Sequence, residues 1–249
     1  MRYIAIDVGN TRTKLALFNR SDVQKYADIP TQKNISSERL LTSYTDHLGL
    51  AQNNTLPMFM SCVVAEVLKK ISSKVTSINH QSPLDFTIAR SAPETLGADL
   101  IAATQGLAAS QNTPVIVIDS GTATTITYLD KDNVFRGGII APGLHTSALA
   151  LFNQTSLLKP IDLEGPLDIF ASTSQISMRT GLIEGHASMI QGLVQKIIRA
   201  ENLSHVFIAA TGGAIPLLSQ CLPDHYVIRP HLVLEGIASI AIKHMAKKL

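Results

Sequence analysis

Twice along this chain an apolar run ends on an aspartate, a glycine-containing turn follows, and a second strand-like run returns. Tyr3 to Ile6 leads into Asp7, Val8, Gly9, Asn10 and Thr11, with Leu15 to Phe18 beyond. Val115 to Ile118 leads into Asp119, Ser120, Gly121, Thr122 and Ala123, with Thr124 to Tyr128 beyond. Apolar, β-branched runs bounded by Gly and Asn read as buried strands, and the short turn leads each into the next strand. A chain that opens two halves with one device is expected to be a duplication. The fold class is α/β: two mixed sheets, each hairpin-led and followed by helices. The device also carries chemistry. Gly9 and Gly121 let a ligand approach the backbone, while turn amides with Asn10, Thr11 and Thr122 offer donors to phosphate oxygens. Asp7 and Asp119 can bind a hard cation directly or through its water. Two such turns facing each other can hold a polyphosphate and its metal. The alternative phosphate device, strand–GxxxxGK[ST]–helix, is absent.

The charge balance removes other classes. With 21 basic and 19 acidic residues the net charge is +2, which offers no basic footprint for nucleic acid. A hydrophobic fraction of 45% against 16% charged argues for a sizeable core in 249 residues, enough for one large domain or two small ones. Lys243, Lys247 and Lys248 read as the cationic end of a helix. Cys62 and Cys221 are far apart and form no CxxC, so reduced thiols are expected. No apolar stretch reaches the length of a membrane span. The first strand begins at residue 3, leaving no room for a cleaved signal, and a cytoplasmic protein without a membrane partner is expected.

The order of elements follows from periodicity and breakers. Strands are expected over 3–8 and 13–19, a helix from Ser37 to Leu48, a strand within 57–64, a helix from Glu66 to Lys74 and a strand from Asp85 to Ala89. Ala98 to Ser110 is a strong helix ended by Gln111 to Pro114, and the domain boundary is placed there, giving 1–113 and 114–249. The second half reads as strands at 115–118, 123–129 and 134–140, then a helix at 144–152 and a loop over 153–172. A long helix follows from about 174 to 200, then a strand from Val206 to Ala210, a helix at 215–220, a strand at 226–228 and a final helix at 233–248.

Other residues join the candidate site with bland readings beside them. The turn of Thr211, Gly212, Gly213 and Ala214 lets a ligand lie against backbone at a helix start, or is simply a tight strand-to-helix connection. Asp99, after Gly97, can take a proton from an attacking hydroxyl, or merely suit the helix dipole. Lys14 can reach a phosphate or lie solvated on its strand. His145 stands in a site loop, though a surface or core-edge place suits it better.

Taken in order, DVGNTRTK at 7–14, PETLGADLIAA at 93–103, DSGTATT at 119–125, GGIIAPG at 137–143, TGG at 211–213 and LEGI at 234–237 resemble the type III pantothenate kinases of the acetate kinase, sugar kinase, Hsp70 and actin superfamily. The resemblance covers nearly the whole chain. It implies two ribonuclease-H-like domains, a homodimer, and transfer of the ATP γ-phosphate to the primary hydroxyl of pantothenate, the first step of coenzyme A synthesis. It implies an ATP-binding turn at Asp7, Val8, Gly9, Asn10, Thr11, Arg12, Thr13 and Lys14, with Thr122 a second ATP contact. Gly97, Ala98 and Asp99 match the pantothenate loop, with Asp99 the proton acceptor, and Asp119 matches a ligand of potassium or ammonium. A divalent ion, magnesium, is implied as well.

The chain departs from the family pattern on the acceptor side. Leu100 stands where the pattern has arginine, Arg90 where it commonly has tyrosine, and Ser174 where it has threonine. These positions complete the expected substrate set. They also keep open two other functions: a kinase-derived regulator that binds nucleotide or ligand with weak or no turnover, and a kinase for a different small alcohol.

Overall fold

The first apolar run lacks alternation because both its faces are covered. In β1 (Arg2–Val8), Tyr3, Ile4, Ala5 and Ile6 are all fully buried. β2 (Arg12–Asn19) pairs with it antiparallel, Arg2 opposite Asn19 and Val8 opposite Thr13. β3 (Asp22–Pro30) continues antiparallel at the sheet's edge. This strand is not expected from the sequence, because only Ile29 of its nine residues is buried, as suits a solvated edge. After α1 (Ser37–His47), β4 (Met58–Cys62) runs parallel to β1 on its other side. α2 (Ala65–Ile71) and β5 (Thr76–Ser77) follow, β5 parallel to β4. One sheet face packs Ile4, Ile6, Leu15 and Leu17 against Leu40 and Tyr44 of α1 and Val67 and Ile71 of α2. A short β6 (Thr87–Ile88) precedes α3 (Ala98–Ala108).

The structure, a computed structural model, describes residues 1–51, 54–112 and 114–247. Two units are defined by their internal contacts: Met1–Gln111 with His231–Leu249, and Asn112–Pro230. Residue 113, the end of the expected first domain, and Lys248 lie outside the described residues.

The second unit repeats the plan of the first. β7 (Val115–Ser120) pairs antiparallel with β8 (Ala123–Leu129), and β8 with β9 (Val134–Pro142). After α4 (Leu144–Gln154) and α5 (Ser174–Ala200), β10 (Phe207–Thr211) runs parallel to β7. α6 (Ile215–Leu218) leads to β11 (Val227–Ile228), parallel to β10. The order β9-β8-β7-β10-β11 matches β3-β2-β1-β4-β5, each unit's first strand pairing antiparallel with the next strand on one side and parallel with the unit's fourth on the other. The expected duplication of mixed sheets is therefore present.

The last helix corrects the expected division. Sequence order alone assigns α7 (Leu232–Ala246) to residues 114–249, but it packs on α3 in the first unit. Two glycines set that crossing. A Cβ on Gly236 would stand 1.7 Å from the Ala102 carbonyl oxygen, and one on Gly106 2.7 Å from that of Leu232. Beyond them Gln105, fully buried on α3, donates through Nε2 to Ser239 Oγ at 2.9 Å and to Asp85 Oδ2 at 2.5 Å. Lys243 pairs with the other oxygen of Asp85. Among the described residues no helix is long and apolar enough to cross a membrane.

Candidate active site

The Gly9 N–H donates to the Arg12 carbonyl at 3.0 Å, so Asn10 and Thr11 form the exposed tip of the first turn. Asp7 stands one residue before the end of β1, opposite Lys14 on β2 and beside Ser61 on β4. Beneath the tip, Thr13 is fully buried. The Thr31 hydroxyl donates to the Gly9 carbonyl at 2.7 Å, which makes Thr13 the donor in the 3.0 Å bond between the two hydroxyls. The Thr31 N–H donates to the Thr11 carbonyl at 3.0 Å. Arg12 is held by β3: its Nε donates to Asp28 Oδ1 at 2.8 Å and its Nη2 to the Asp28 carbonyl at 2.9 Å. Val8 and Thr13 therefore shape the turn from below, and Arg12 braces its flank.

The second turn is one residue tighter. The Gly121 N–H donates to the Ala123 carbonyl at 2.9 Å, leaving Thr122 at the apex. Gly143, the last residue of the GGIIAPG run, explains that run: a Cβ there would stand 2.1 Å from the Gly121 carbonyl oxygen. Its N–H donates to the Thr122 carbonyl at 3.0 Å, and the Thr146 hydroxyl to the same oxygen at 2.7 Å. The Thr211–Gly213 turn joins Asp119 directly. Thr211 is in register beside Asp119, and Gly212 has φ +103°, where a Cβ would lie 2.6 Å from Asp119 Oδ1. The Ala214 N–H donates to the Ser120 carbonyl at 3.0 Å. Gly213 is exposed, with open space where a side chain would be. Below the turn, Thr124 Oγ1 shares hydrogen bonds with Ser120 Oγ at 3.0 Å and His186 Nε2 at 2.8 Å. Burial pushes the His186 imidazole toward its neutral form.

Asp99 lies in the first turn of α3, and its Oδ1 accepts from the Leu100 N–H at 2.8 Å. Burial holds its carboxyl above the ordinary carboxylate range, and the N–H groups of Leu100 and Asp99 itself pull it partly back. A Cβ on Gly97 would stand 2.5 Å from Asp99 Oδ1, so a side chain here would displace that carboxylate. Ala98 and Leu100 flank it half-buried, and Arg90 is exposed in the preceding stretch. Ser174 opens α5 beside its cap Thr173, and lines a groove of about 550 Å³ with Leu151, Leu158, Met178 and Leu182. His145 is exposed at the start of α4.

The sequence does not reveal Asp28 and Thr31 as site residues, because it does not reveal β3. His186 has a readable signal: it is a polar residue in the buried stripe of Ile183, Ala187 and Ile190. Among the described residues no three His, Cys, Asp or Glu side chains gather as a metal cage. Each turn instead offers one carboxylate beside threonine hydroxyls. That donor set fits a hard cation that keeps water and phosphate ligands.

Residues 3–196 match the family described as type III pantothenate kinase. The chain belongs to that family. It is 30% identical over 97% of its length to the type III pantothenate kinase of Shouchella clausii, covering 99% of that protein. To the type III pantothenate kinase of Methylacidiphilum infernorum it is 31% identical, over 99% of this chain and 91% of that one. Among solved structures it resembles a conserved Campylobacter jejuni protein named as a Baf family transcriptional activator, with TM-score 0.66 and 18% identity over 98% and 99% of the two chains. It also resembles the ROK hexokinase of Thermus thermophilus, with TM-score 0.53 and 11% identity over 99% and 100%. These likenesses in structure show the fold, the paired mixed-sheet architecture of actin-like ATPases and sugar kinases.

Proposed function

We infer that this chain transfers the γ-phosphoryl group of ATP to the primary hydroxyl of pantothenate, the first step of coenzyme A synthesis. The observation that carries this reading is the family match over residues 3–196, extended nearly end to end by the curated relatives. The chain is a small-molecule kinase that uses ATP with a divalent cation, which when bound offsets the charge on the phosphoryl oxygens.

Asp99 is the proton acceptor. The acceptor oxygen forms a bond to the γ-phosphorus, the bond from that phosphorus to the bridging oxygen breaks to leave ADP, and the hydroxyl proton passes to Asp99. Burial raises the basicity of this carboxylate toward the operating pH. Leu100 N–H engages Oδ1, and Oδ2 is the oxygen assigned to the acceptor hydroxyl. Asn10, Thr11 and Lys14 contact ATP phosphates from the first turn, with Asp7, Val8, Gly9, Arg12 and Thr13 holding its shape. Thr122 does so from the second turn. Asp119 would hold the monovalent cation, potassium or ammonium, and Asp7 would help hold the divalent cation, directly or through its waters. Gly97, Ala98, Leu100, Arg90 and Ser174 bind pantothenate.

The working unit is a homodimer. What supports it is a set of exposed apolar side chains on the second unit: Leu149, Leu157, Ile169 and Phe170 are all exposed, Phe170 by 91%. Analytical ultracentrifugation of the chain should give twice the monomer mass, and a monomer would remove this part of the reading.

A specific observation favours a second reading. Leu100 lies beside the proposed base where the family pattern has a cation, so the acceptor is a different small alcohol or turnover is weak. ADP release followed with pantothenate and a panel of small alcohols, potassium present, separates the readings. Pantothenate as the preferred acceptor, improved or unaffected by Leu100→Arg, supports the first; preference for another alcohol supports the second.

A further inference from the structure

The layer between the second sheet and α5 is apolar except at one end. Ile116, Ile118 and Ile126 of the sheet pack on Ile183, Ala187 and Ile190 of the helix. Ser120, Thr124 and His186 stand at the end nearest the Asp119 turn, all buried and joined by the bonds of 3.0 and 2.8 Å. Apolar side chains there would avoid the desolvation of three polar groups. The trio therefore needs a reason other than stability, and its position supplies one.

Ser120 and Thr124 face each other as the rung of β7–β8 next to the turn. Ser120 follows Asp119, and its carbonyl takes the Ala214 N–H of the third turn. Displacing this rung moves Asp119, Thr122 and Gly212 together. The first unit carries the same design with different residues. Its corresponding rung is Val8 opposite Thr13, and the buried Thr13 hydroxyl is tied through Thr31 to the Gly9 carbonyl. Each turn thus rests on a buried threonine at the same register position, braced by a side chain from outside the hairpin. For the first turn the brace is Thr31; for the second it is His186, well inside the longest helix of the second unit.

We propose that His186 is a positioning residue for nucleotide binding, holding Thr124 and through it Ser120 so that the Asp119 and Thr211–Ala214 turns keep their spacing. This rests on the kinase reading above. His186 touches no substrate; it acts through the rung.

The test is calorimetric binding of a non-hydrolysable ATP analogue with magnesium and potassium, together with steady-state KM values for both substrates. His186→Phe, which keeps an aromatic ring and removes the hydrogen bond, should weaken analogue binding about tenfold, ~1.4 kcal/mol. Its KM for pantothenate should stay within about twofold of wild type, which general loss of structure would not achieve. His186→Gln, which returns an amide near the Nε2 position, should recover most of the affinity. Thr124→Val should behave as His186→Phe, and the double variant should bind no worse than the weaker single one. Should His186→Phe fail to fold, Thr124→Val and His186→Gln carry the same test. Unchanged analogue affinity, additive single effects, or parallel loss of both substrates overturns the proposal while leaving the kinase reading intact. Wild-type protein that binds no nucleotide overturns both.

Discussion

Replacing Asp99 by asparagine separates two effects that the native carboxylate combines. In its proposed role as proton acceptor, Asp99 should supply about 10²–10⁴-fold of the rate, which at 1.36 kcal/mol per decade is ~2.7–5.4 kcal/mol of transition-state stabilisation. Asparagine keeps an oxygen to accept from the Leu100 N–H but cannot take the proton, so kcat should fall by that factor while pantothenate still binds. Stability should move the other way. Burial raises the folded-state pKa of Asp99 above the ordinary 3.8, so the folded protein holds this proton more tightly than the unfolded chain. Stability from this group is complete below pH 3.8 and is lost as pH rises through the folded value, leaving a penalty at neutral pH. The neutral amide of Asp99→Asn would carry no such penalty. Thermal melts at pH 7 should place the variant at or above wild type, with the gap closing as pH falls toward 4. Single-turnover kinetics and melts on the same preparation read both effects. A variant retaining more than a tenth of the wild-type rate would refute the assignment of the base. A variant that melts well below wild type at pH 7 would refute the stated effect of burial.

Three further outcomes follow from the same geometry. Gly236→Ala drives a methyl into the Ala102 carbonyl, and the separation of α3 from α7 should cost about 1–3 kcal/mol or more in denaturant unfolding; an unchanged midpoint would contradict the crossing described. Gly212→Ala combines an unfavourable φ with a Cβ 2.6 Å from Asp119 Oδ1, and should weaken cation and nucleotide binding together, read by titrating potassium against activity; an unchanged activation curve would contradict it. For His186, burial lowers the folded pKa below 6.5, so its contribution to stability is complete above pH 6.5 and is lost as pH falls toward the folded value. The melting temperature of wild type should therefore drop more steeply than that of His186→Phe between pH 7 and the onset of acid unfolding.

The strands that carry the two aspartates are legible because burial on both faces leaves continuous apolar runs, and α5 because a 27-residue helix keeps its apolar stripe throughout. β3 is not, since eight of its nine residues keep some contact with solvent and leave no alternation to read. The partner of α7 is not legible either. Its apolar residues announce burial, but only the meeting of Gly236 with Ala102, distant in sequence, decides against which unit. The candidate site residues divide in the same way. Asp7, Asp119 and the Thr211–Gly213 turn are local signals, and the approach of Gly212 to Asp119 joins two of them in space. Gly143 stands out only as part of a motif until its contact with the Gly121 carbonyl gives it a reason. Thr31 and His186 reach the turns from elsewhere in the chain: Thr31 has no local pattern, and the buried stripe around His186 marks it as an unusual polar residue without naming its partner.

Whether the paired turns and Asp99 make a working pantothenate kinase is tested most directly by mass spectrometry of the product formed from ATP, magnesium, potassium and pantothenate. The expected result is one new species, pantothenate heavier by a single phosphoryl group, formed in step with ADP and suppressed in Asp99→Asn. Tight nucleotide binding with pantothenate left unmodified would contradict it.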